Sequence, residues 1–133
     1  MLAKKIVVVE DDESIRKTFA LLLGKKYRVS LAKDGKEAIQ KYAGTKVDLI
    51  ITDLKLPDLT GLELMAQFRE AGFKGEAMLI SAYPDLLKID QLTRCGIRYY
   101  FTKPLDLELF SRSIDQVLEP KDVFEKIKTV THI

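Results

Sequence analysis

The sequence predicts a doubly wound α/β domain: a single five-stranded parallel sheet flanked by five helices. Three observations lead there. Short β-rich apolar runs alternate with segments of helical period along the chain. Three of those runs are almost continuously apolar, as parallel strands covered on both faces require. The punctuation between units is Gly and Asp at the places where helices start and stop.

In chain order, "KIVVV" (5 to 9) is the first strand, and Ile15, Phe19, Leu22 and Leu23 mark a helix that Gly24 ends. "YRVSLA" (27 to 32) follows, then "DG" at 34 and 35 opens a helix carrying Ala38, Ile39 and Tyr42. The third unit is "VDLIIT" (47 to 52) with Leu62, Met65 and Phe68, closed by Gly72 and Gly75. "EAMLIS" (76 to 81) and a helix ending before Gly96 make the fourth. "RYYF" (98 to 101) and the stripe Leu107, Phe110, Ile114, Val117 and Leu118 make the fifth. Right-handed crossovers leave few packings for five βα units other than one sheet between two helical layers. The predicted domain spans residues 4 to 118. Residues 119 to 133 lie outside it; Val123, Ile127 and Val130 suit a short amphipathic helix, a frayed terminus or the start of a linker equally.

Composition bounds the function classes. The 133 residues suffice for one core, and 22 basic against 20 acidic side chains give a net charge of +2, so no large field favours nucleic acid or membrane. No stretch approaches the ~18 apolar residues of a membrane span, and the N-terminal apolar run is too short for a signal segment. A single cysteine, Cys95, cannot form an internal disulfide and reads as a small hydrophobe in a helix. A soluble, cytoplasmic protein is expected.

Ligands of open parallel sheets bind beyond the carboxyl ends of the strands. Those ends carry Glu10, Asp11, Asp12 and Glu13 after the first strand, Asp53 after the third, Ser81 on the fourth, and Thr102, Lys103 and Pro104 after the fifth. Singly, each has an ordinary structural reading: Asp12 and Glu13 cap the first helix, Asp53 holds the turn of Pro57 and Gly61, and Ser81 and Lys103 are strand-end residues. All lie at one end of successive strands, which argues for a site. Crowded carboxylates supply hard oxygens suited to Mg²⁺, and a carboxylate can itself accept a phosphoryl group, with Lys103 as a second cation.

The segments "VVVEDDESIR", "ITDLKLPDLTG", "LISAYPD" and "YYFTKPLD" together resemble the receiver domain of two-component response regulators. They stand in order, with intervals of 42 residues from Asp11 to Asp53, 28 to Ser81 and 22 to Lys103. The resemblance implies a flavodoxin-like, CheY-like sheet of order 2-1-3-4-5. With Arg16 aligned to the basic residue of helix one, it makes Glu10 and Asp11 the acidic pair, Asp11 a direct Mg²⁺ ligand and Glu10 a ligand through water; the family more often has Asp at the first place. It makes Asp53 the phosphorylated aspartate, the Lys55 backbone carbonyl a metal ligand, Ser81 the switch hydroxyl, Lys103 the phosphoryl-contacting lysine and Tyr100 the switch aromatic. It further implies a cis Lys103–Pro104 bond, and that Lys55 and Tyr83 hold the two variable positions that flank the phosphoryl site and tune hydrolysis; from its bulk, Tyr83 is expected to shield the acyl phosphate from water.

As partners it implies a sensor histidine kinase as donor, since the only histidine, His132, lies in the tail, and a downstream output protein or domain. It allows a phosphorylation-dependent dimer; neither nucleic-acid nor membrane contact is expected of this chain. The protein would be a signalling phosphoacceptor that catalyses only its own phosphorylation and dephosphorylation. Three other readings compete with this one. A dehalogenase-type phosphohydrolase wants a second Asp where Lys55 stands; a flavodoxin wants a Ser/Thr-rich phosphate loop where the chain has acids. A receiver-like module that never takes phosphate has no residue in its favour, because every acceptor-site position is filled.

Overall fold

The computed structural model describes residues 3 to 82 and 89 to 119; Tyr83, His132 and the tail from 120 onward lie outside these. Elements follow in the order β1 (Lys5–Val9), α1 (Glu13–Leu23), β2 (Arg28–Ala32), α2 (Gly35–Tyr42), β3 (Leu49–Asp53), α3 (Gly61–Glu70), β4 (Glu76–Ser81), α4 (Ile89–Arg94), β5 (Tyr99–Thr102) and α5 (Leu107–Leu118). All neighbours pair in parallel, in the order β2-β1-β3-β4-β5. The expected sheet and its order are therefore present.

Strand alternation sorts the core into two layers. Val7, Val9, Ile50, Ala77 and Leu79 point to one face, under Ala38 of α2, Leu64, Met65 and Phe68 of α3, and Leu92 of α4. Ile6, Val8, Leu49, Ile51, Met78 and Ile80 point to the other, under Phe19 and Leu23 of α1 and Phe110, Ile114 and Leu118 of α5. In the second layer Phe110 stacks edge-on against Phe101 at 4.9 Å between ring centroids. Each fully buried side chain of this size contributes roughly 1.5 to 3 kcal/mol relative to exposure, so the two layers hold the sheet rigid between them.

Four helices begin on a side-chain cap: Asp12, Asp34, Thr60 and Asp106 accept the backbone N–H of Ile15, Glu37, Glu63 and Leu109. These caps stop each loop at the carboxyl end of the sheet and fix how far it can reach over the strand ends. Cys95 differs from expectation in one respect. It stands in the turn just beyond α4 rather than in the helix, half-buried against the α2–α4 layer.

Candidate functional site

The site forms where the windings reverse, between β1 and β3, with β4 and β5 closing one side. Glu10 follows β1 directly, and its N–H continues the ladder by donating to the Ala32 carbonyl at 3.0 Å. That pairing carries its side chain inward, where it is 2% exposed, whereas Asp11 stays exposed. Asp53 is the last residue of β3, one place further along the strand than the sequence suggested, paired with Ile80 and 8% exposed.

Carboxylate oxygens of Glu10, Asp11 and Asp53 lie within 4.8 Å of one another. Into this group reaches Lys103, the residue after β5, whose Nζ donates to Asp53 Oδ2 at 2.6 Å and to Glu10 Oε1 at 3.2 Å. The backbone beneath it is held too. Lys103 N–H donates to the Ser81 carbonyl at 2.9 Å, and the Lys103–Pro104 peptide is cis.

Three carboxylates facing one ammonium leave an excess of negative charge. Unit charges 4 Å apart repel by about 1 kcal/mol in water and about 4 at the effective dielectric of a protein surface. The titration directions follow. Burial pushes the Glu10 carboxyl above its ordinary value, against the opposing pull of the Asp12 N–H and of Lys103. For Lys103, burial works against the charge, but hydrogen bonding to Asp53 and the field of Glu10 prevail and raise its pKa, so the ammonium is firmly charged.

The structure thus brings together Glu10, Asp11, Asp53 and Lys103. Ser81, 2% exposed, ends β4 beside Thr102 of β5, at the same end of the sheet. Lys55 lies two residues beyond Asp53, its N–H donating to Asp53 Oδ1 at 3.3 Å. Tyr100 is not part of the cluster. It is 52% exposed and lines an open groove of about 750 Å³ with Ile89, Leu92 and Arg98.

One contributor was not assigned a contact from sequence. Arg16 of α1 donates from Nη1 to the carbonyls of Glu10 (2.8 Å) and Asp11 (3.2 Å), clamping the main chain of the acidic pair. The interval of five to six residues was the available signal, because it returns a helix's first-turn side chain to the loop before it. Three hard-oxygen carboxylates in so small a space fit a divalent cation of the Mg²⁺ kind, with the crowding of like charge as its driving force.

Comparison with known proteins agrees. Residues 6–115 match the family model of the response regulator receiver domain. The alkaline phosphatase synthesis transcriptional regulatory protein PhoP of Bacillus subtilis is 31% identical over 121 residues, covering 90% of this chain and 50% of PhoP. The response regulator protein TrrA of Thermotoga maritima, solved in complex with Mg²⁺-BeF, superposes with a TM-score of 0.75 at 25% identity, covering 86% of this chain and 99% of that one. The receiver domain of the Saccharomyces cerevisiae response regulator Ssk1, solved with the histidine phosphotransfer protein Ypd1, gives a TM-score of 0.75 at 25% identity, with 89% and 91% coverage. The chain spans between about a quarter and a half of the curated relatives it matches. With the family model covering most of its length and the fold in agreement, the chain belongs to the response regulator receiver domain family.

Proposed function

We propose that Asp53 is the phosphoacceptor of this receiver domain, taking a phosphoryl group from the phosphohistidine of a sensor histidine kinase. The observation that carries this reading is the 2.6 Å contact between Lys103 Nζ and Asp53 Oδ2 beside the Glu10–Asp11 pair. Asp53 Oδ attacks phosphorus in line, the phosphorus–nitrogen bond to the donor imidazole breaks, and an acyl phosphate forms. Lys103, released from the carboxylate, then faces the new phosphoryl oxygens.

Asp11, Asp53 and the Lys55 carbonyl would hold Mg²⁺ directly, and Glu10 through water. When bound, the ion supplies positive charge to the transferring oxygens and relieves the carboxylate crowding. Ser81 is the hydroxyl drawn toward the acyl phosphate, and Tyr100 turns from its exposed position into the space Ser81 leaves. That rearrangement changes the α4–β5–α5 surface read by an output protein or domain, directly or through a phosphorylation-dependent dimer.

Beyond its own phosphorylation and dephosphorylation the domain, residues 4 to 118, turns over no substrate, and residues 119 to 133 extend from it. No helix among the described residues is long and apolar enough to cross a membrane, and a cytoplasmic location is proposed with the kinase partner. The test is incubation with Mg²⁺ and acetyl phosphate, reading intact mass. Wild type should gain one phosphoryl group and Asp53→Ala none; equal gain in both assigns the acceptor elsewhere.

A further inference from the structure

The loop between β3 and α3, residues 54–60, carries Lys55 and is secured at its base. Leu54 N–H donates to the Ile80 carbonyl and Gly61 N–H to the Leu54 carbonyl, both at 2.7 Å. Lys55 and Thr60 face each other across a single antiparallel bridge, and Leu56 N–H reaches the Leu59 carbonyl at 3.2 Å. The tip is secured from outside the loop. Asp58 Oδ1 accepts the N–H of Gly35 at 3.0 Å, and Oδ2 accepts that of Lys36 at 2.8 Å.

These two amides open α2, where a helix leaves its donors without intrahelical partners. The helix's own cap, Asp34, takes only the N–H of Glu37, at 2.8 Å. Two carboxylates therefore serve one helix start, and the second comes from 22 to 23 residues away. Next to Asp58, Leu59 sits in the space that a Cβ at Gly35 would fill, its side-chain carbons 2.6 to 2.9 Å from that position. The glycine of the "DG" pair is thus explained by the loop that leans on it.

We propose that Asp58 is a positioning residue for the cation site. By fastening the loop tip to the start of α2, it holds the Lys55 carbonyl at the height a metal ligand needs, and α2 becomes the outer wall of the phosphoacceptor pocket. The inference rests on reading Asp11, Asp53 and Lys55 as the ligand set. Lys55 is three residues from Asp58 in the same short loop, where it bridges to Thr60 and its N–H donates to Asp53 Oδ1 at 3.3 Å. Mg²⁺ tolerates little departure from octahedral geometry at about 2.0 to 2.1 Å, so a loop free to drift loses a ligand. Removing partners that orient metal ligands typically costs about 10- to 100-fold in affinity.

The experiment titrates Mg²⁺ by calorimetry into the full chain as wild type, Asp58→Ala, Asp58→Asn and Asp34→Ala, with melting temperatures recorded for each. Asp34→Ala also deletes one carboxylate and one cap bond of α2 but leaves the loop alone. It controls for both net charge and helix loss. Expected are a roughly tenfold weaker Mg²⁺ affinity in Asp58→Ala, an intermediate value in Asp58→Asn, which keeps one acceptor oxygen, and wild-type affinity with a lowered melting temperature in Asp34→Ala. Should Asp58→Ala fail to fold, the Asn variant decides alone. Affinity unchanged on loss of Asp58, or reduced equally by Asp34→Ala, overturns the proposal. Absence of Mg²⁺ binding in wild type overturns the ligand assignment together with it, whereas binding in wild type matched by the Asp58 variants overturns only the anchoring role.

Discussion

Replacing Gly61 by alanine tests how tightly the end of β3 is seated. A Cβ built at residue 61 lies 2.5 Å from the Asp53 carbonyl oxygen, 3.2 Å from Leu54 Cα and 2.8 Å from Leu79 Cδ1. Two of these three are main-chain atoms at or next to the proposed phosphoacceptor, and Leu79 is itself fully buried, so no flexible side-chain end can yield. Over-packing of this kind costs about 1 to 3 kcal/mol. Against it stands the better helix propensity of alanine, about 1 kcal/mol in a helix interior and less at the first position, where residue 61 sits. A net loss of about 1 to 2 kcal/mol remains, or a fall of roughly 4 to 8 °C in melting temperature for a domain of this size. Thermal unfolding followed by circular dichroism measures it, and phosphoryl uptake from acetyl phosphate should slow in parallel because Asp53 is what must move. A melting temperature equal to or above wild type would show that the strand end gives way freely, and the argument for a rigidly seated Asp53 would fail.

Two further substitutions probe the charged groups. Lys103→Met leaves Glu10 and Asp53 facing each other without the ammonium, and about 2 kcal/mol of stability should be lost near pH 8. Glu10, already raised by burial and now without the opposing pull of Lys103, takes up its proton earlier on acidification, which relieves the repulsion; urea melts should therefore show a smaller penalty at pH 5 than at pH 8, and an equal penalty contradicts the assignment. Tyr27→Phe removes the hydrogen bond its hydroxyl donates to Asp115 at 2.5 Å, a loss of about 1 kcal/mol with that carboxylate partly exposed. Burial first, and then Asp115, raise the Tyr27 phenol above its ordinary value, so the wild-type advantage is present below about pH 10 and is lost as pH rises beyond. Urea melts at pH 7 and pH 11 should show that narrowing.

Most of the architecture was legible because each element carries its own signal. The apolar runs of β1, β3 and β4 and the helical stripe of α5 needed no partner to be recognised. Boundaries were less so: β3 and β5 each run one residue past the predicted end, to Asp53 and Thr102, because polar residues there join the ladder through main-chain bonds that side-chain pattern does not reveal. The acids and Lys103 could be grouped from sequence because parallel topology sends every strand end to one side. Arg16 and Asp58 were harder to place. The spacing of Arg16 returns it to the loop before α1, but its partners there are carbonyls, which no residue type marks; Asp58 answers to a helix two elements earlier in the chain, joined to it only once the sheet order brings β3 and α2 alongside.

Among the described residues the two apolar layers share no side chain, since the main chain of the sheet stands between them as a partition. Space opened beneath Phe68 cannot be filled by a neighbour of Phe110. Substitutions on opposite sides should consequently add in their effect on stability, as distant sites do. Each helical coat can then drift in sequence on its own, and a lineage can recut one flank for a new associate while the other keeps its old one.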